Sequence, residues 1–131
     1  MTSQTVNTRV ESVNNVPQVE FQDPSTNQWG TEITVTCNEA GTVTFNLEPG
    51  NIQQSYIFFG ATQKITEEPT GSSDTDWSFT ISNHGTNIVF TSNDTLNQTI
   101  GIKLALIPKN SDNLANDVIS ADPRIKNVPP Q

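Results

Sequence analysis

The stretch TEITVTCNEAGTVTFNL, residues 31–47, decides the fold. Ile33, Val35 and Cys37 alternate with Thr34 and Thr36; after a short gap Val43, Phe45 and Leu47 alternate with Thr44 and Asn46. Period-two alternation marks a strand with one face in a core and the other in water. Between the two runs stands Glu39-Ala40-Gly41, the size of a hairpin connection, so the pair is expected to form a β-hairpin.

The pattern spreads outward from there. Glu48-Pro49-Gly50-Asn51 ends the second strand with a strong turn signal. Tyr56, Ile57, Phe58 and Phe59 are apolar without alternation. Such a run suits a strand covered on both faces, or an edge strand that faces an exposed apolar groove. Trp77, Phe79 and Ile81 alternate again, then Ile88 and Phe90, then Ile100, Ile102, Leu104 and Leu106 before Pro108. Upstream, Val19 and Phe21 share one face of a short strand, and Asp23-Pro24-Ser25 begins a turn whose loop carries Trp29. Seven to nine short strands at near-regular spacing predict an all-β, antiparallel two-sheet sandwich of immunoglobulin-like topology, with a jelly roll or small barrel as the alternative. Residues 1–17 are expected to form an extended N-terminal arm, residues 18–108 the sandwich, and residues 109–131 an extended segment that packs on the sandwich or leaves it.

Composition supports a folded chain and narrows its chemistry. Of 131 residues, 53 are Asn, Gln, Ser or Thr, while charged residues make up 15 %. Disordered chains combine few apolar groups with many charges; here the filler is uncharged and rich in Thr, which suits the wet face of a sheet. The net charge of −8 repels phosphate backbones and anionic membrane surfaces, so neither nucleic acid nor membrane is an expected partner. Met1 to Pro17 holds no apolar run of the kind a secretory leader needs, and nothing approaches the roughly 20 apolar residues of a membrane helix. A cytoplasmic location is expected, in keeping with the lone Cys37 on an apolar strand face.

Catalytic constellations are hard to assemble. One His and one Cys cannot close a zinc shell, and His84 sits in a turn where a solvated role is expected rather than a triad. No Gly-rich phosphate loop occurs and no cofactor is expected. Oxygen-rich loops holding Asp74 and Asp76, and Asp112, are the calcium candidates, although neither follows the EF-hand pattern. Trp77 is in phase with core residues. Trp29, in a loop among Asn and Gln donors, is the candidate sugar platform, so carbohydrate is the leading ligand. Tyr56 and Phe58 are the candidate contacts for a second copy of the chain.

Acid-Pro pairs complete the reading: Asp23-Pro24 after one strand, Glu48-Pro49-Gly50 after another, and Asp122-Pro123 opening the tail. This arrangement resembles the small bacterial proteins grouped as the DP-EP family, and the closing segment is similar to the tail of the AidA and PixA inclusion-body proteins. The resemblance implies a β-sandwich of uncharacterised role, with a capacity for self-association by the second comparison, and transfers no catalytic residue. The function expected is that of a non-enzymatic, self-associating structural or accessory protein. A carbohydrate- or other ligand-binding module is the alternative, and a carboxylate-based hydrolase stands third.

Overall fold

A computed structural model of the protein describes residues 2–37, 40–67, 77–92, 98–111, 113–121 and 123–127. These residues form eleven strands and two single turns of 3₁₀ helix, arranged as two open sheets. The first sheet runs β3 (Trp29–Gly30), β2 (Val16–Gln22), β1 (Thr2–Val13), β5 (Gly41–Leu47), β8 (Asn87–Ser92), β7 (Trp77–Ser82). In the second, β9 (Gln98–Pro108) pairs on one side with β6 (Tyr56–Glu67). Its other side pairs with β10 (Val118–Ile119) and β11 (Arg124–Asn127), and β4 (Thr34–Cys37) lies beyond β11. Both sheets end in edge strands, so the molecule is a sandwich and not a closed barrel.

The predicted alternation decides the packing. Val43, Phe45, Ile88 and Phe90 of the first sheet are fully buried, as are Ile100, Ile102, Leu104, Leu106 and Ile125 of the second. Phe21, Phe45, Phe90 and Phe79 meet in sequence across the first sheet, with ring centroids 5.5–5.8 Å apart and two of the three contacts edge-on, the geometry that ring quadrupoles favour. Trp77 and Cys37 are buried among these side chains.

The segment read as an N-terminal arm lies inside the first sheet. The first half of β1 pairs in parallel with β5 and its second half antiparallel with β2. Val6 and Val10 are buried, and Thr8, wholly enclosed, donates its hydroxyl to Val6 O. β1 turns into β2 through Asn14 and Asn15, both at positive φ (53° and 64°). Two such residues between Val13 and Val16 match the tight turn that suits the twist of a hairpin, and Asn enters that region at little cost.

The C-terminal segment is also built in. β11 lies between β9 and β4, antiparallel to one and parallel to the other. Ile125 is fully buried, Arg124 N–H donates to Ile33 O, and Ile102 N–H donates to Pro123 O. Leu114–Asn116 form a 3₁₀ turn and Val118–Ile119 form β10.

Two details depart from the sequence reading. β4 and β5 alternate as expected but lie in different sheets, so they do not pair as a hairpin. A short connection can serve either arrangement; which edge each strand finds is settled by distant partners, β11 for β4 and β1 with β8 for β5. The sheets are also not purely antiparallel, because β1–β5 and β4–β11 are parallel pairs.

Candidate functional site

The outer face of the first sheet is its polar side. Because strand neighbours in register share a face, one row of side chains crosses all six strands: Trp29, Gln22, Asn7, Asn46, Asn87 and Ser82. The β1–β2 register places Asn7 opposite Gln22, and Asn7 Nδ2 donates to Gln22 Oε1 at 3.0 Å. Further along the face, Thr5, Thr44, Val89 and Thr80 form a second row. No side chain in either row is charged. Asn87 Oδ1 is buried and has no hydrogen-bond partner among the described residues, a costly state for an acceptor.

Trp29 stands at the β3 end of the first row, and two loops hold it. Asp23 caps the loop that delivers it: Ser25 N–H and Oγ donate to Asp23 Oδ1 (2.9 and 2.7 Å), Asn27 N–H donates to Asp23 O, and Asp23 N–H donates to Gln28 O. The Ser25 hydroxyl and amide hold the Asp23 carboxyl below its ordinary value of 3.8. The Arg9 guanidinium lies 4.1 Å from the Trp29 ring centre, a cation–π contact. Arg9 is itself fixed by Glu20 (2.9 Å) and Glu11 (3.2 Å).

Glu11 leads to the second loop. Its Oε1 accepts from Asn51 N–H, and the Asn51 side chain pairs with both backbone groups of Ser12, accepting from its N–H and donating to its carbonyl. Glu48 N–H donates to Thr8 O, and Gly50 lies so close to β1 that a Cβ would collide with Val10 O. The loop 48–51 thus covers the edge of β1 where β5 ends. The Asp-Pro turn brings Trp29 to the sheet, and the Glu-Pro-Gly-Asn loop anchors the carboxylate that steadies the cation over its ring.

The other candidate residues lie elsewhere. Phe58 is 2 % exposed and packs into the core, where it cannot touch a second copy of the chain. Tyr56 is half-buried and lines a cavity of about 280 Å³ at one end of the sandwich, together with Pro49, Ile52, Ile57, His84 and Lys109; Trp29 does not line it. Sequence left two placements open for the Tyr56–Phe59 run, and β6 is the edge strand. Its lack of alternation has a local cause: Phe59 is an extra residue between the Phe58–Leu106 and Gly60–Ala105 pairs, a bulge that switches which face the strand presents. Phe59 itself is 39 % exposed. His84 is exposed, at positive φ in the turn between β7 and β8. Asp74, Asp76 and Asp112 lie outside the described residues. Among the described residues no group of three His, Cys, Asp or Glu is placed to hold a metal ion, and no helix is long and apolar enough to cross a membrane.

The fold and this face define an all-β sandwich whose first sheet carries two uncharged polar rows on its outer side, one of them ending at a fixed tryptophan. The sequence profile of the DP-EP family matches residues 4–129, and the chain belongs to that family. No curated protein matches it.

Proposed function

We propose that the protein is a non-catalytic binding module that takes carbohydrate on the outer face of its six-stranded sheet, with Trp29 as the stacking platform. The observation that carries this reading is the immobilised Trp29 ring beside a row of amides. Sugar rings present C–H faces to an aromatic ring and hydroxyls that both donate and accept, and Asn and Gln side chains offer both functions. Fixing the ring beforehand through Arg9 lowers the entropy lost on binding. Cytoplasmic location is part of the proposal, supported by the burial of Cys37, the single cysteine of the sequence. A glycan array probed with wild type and Trp29→Ala tests it. The variant should lose about tenfold in affinity for every bound glycan, and equal signals from the two proteins would reject Trp29 as the platform.

A second reading, a self-associating structural protein, is favoured by the position of β6. It is an edge strand with Phe59 turned outward, and open edges invite pairing with another chain. Two register shifts, at Phe59 and Thr66, break the regular ladder along that edge. On this reading light scattering at high concentration shows a dimer that Phe59→Lys converts to monomer; a monomeric wild type rejects it.

A further inference from the structure

The row from Trp29 to Ser82 has a direction, a length and a charge, and together they narrow the ligand. We propose that it holds one neutral, linear glycan chain running across the strands, from Trp29 at the β3 edge towards Ser82 at the β7 edge. This rests on the carbohydrate reading above and specifies it.

Each strand contributes one side chain to the row, and neighbouring strands lie about 4.8 Å apart. One hydrogen-bonding group therefore recurs at about the length of one sugar unit in an extended chain, over roughly 24 Å in all. The members beyond Trp29 are amides and a hydroxyl, so each can donate to or accept from a sugar hydroxyl. None of the six is charged. The nearest ionic groups on the face, Arg9, Glu11 and Glu20, already pair with one another, and the chain carries −8 overall. Uronic or sulfated glycans would meet repulsion without a free cation in the row. Twist settles the physical form of the ligand. Adjacent strands rotate by about 20–25°, so the side chains fan through roughly 100–125° from edge to edge. A flat crystalline surface would touch only a few strands, whereas a single chain can turn with the row.

Calorimetry with ladders of cello-, malto-, manno- and chito-oligosaccharides, from disaccharide to octasaccharide, tests the proposal. For one ladder, affinity should rise about threefold per added sugar and level off once the chain spans the sheet. Asn46→Ala should flatten the rise for the longer chains, with near-ultraviolet circular dichroism confirming its fold. Trp29→Ala should weaken binding at every length. Affinity independent of chain length, or retention on crystalline cellulose without binding of soluble chains, would overturn the linear-chain inference and leave the carbohydrate reading standing. No binding to any ladder would overturn both.

Discussion

Gly50 shows how a single atom can matter in this fold. Its φ is ordinary, and the constraint on it is space. A Cβ there would meet the Val10 carbonyl oxygen, which belongs to a sheet strand and cannot step aside. Gly50→Ala should therefore destabilise the protein by about 1–3 kcal/mol, read as a lower urea midpoint; an unchanged midpoint would show that the loop can lift away from β1. Asp23 acts through hydrogen bonds to its charged form. Because its folded pKa is depressed, its contribution to stability is present above the ordinary value of 3.8 and is lost as the pH falls through the lower folded value. The melting-temperature gap between wild type and Asp23→Ala should be open at neutral pH and close well below 3.8; a gap that persists in strong acid would assign the effect to the turn's shape instead of its charge. The turn chemistry of Asp23-Pro24 was legible in the sequence. The Arg9 contact with Trp29 was not, because residues 20 apart along the chain reveal no neighbourhood until β1, β2 and β3 are set in register.

At the scale of elements, the strands with clear alternation were read well, and the misreadings share a cause. In the segment expected to be an extended arm, two of the three valines Val6, Val10 and Val13 are on the buried side of β1. The missed signal was Asn14-Asn15, a two-residue turn whose residues tolerate positive φ. The tail holds only Ile125 as a described core side chain, too little to mark a strand by pattern, although β11 is what joins β4 to β9. A chain ending at Ala121 should lose that bridge together with the two backbone hydrogen bonds made by Pro123 and Arg124. It should show no cooperative urea transition. Ile125→Ala, the milder change, should fold with a loss of about 2–5 kcal/mol. A truncated chain with a wild-type midpoint would show that the second sheet closes without β11. The expected hairpin of β4 and β5 fails for a related reason: alternation tells which residues face inward and says nothing about which sheet they face inward from.

At the scale of the whole molecule, the low apolar content and the sandwich are two sides of one geometry. A two-layer fold needs one apolar face per sheet and leaves the other to uncharged polar residues, which is why so many Thr and Asn residues accompany so few charges. What the sequence by itself determined is the strand class, the identity of the buried side chains and the polar character of the outer faces, because period-two alternation is a local property of the chain. What only the tertiary structure decided is the order of the strands. From that order follow the placement of β1 and β11 inside the sheets, the edge position of β6 and the line of side chains from Trp29 to Ser82. That line exists in no segment of the chain: its six members come from six strands, and backbone pairing between distant segments alone brings them level.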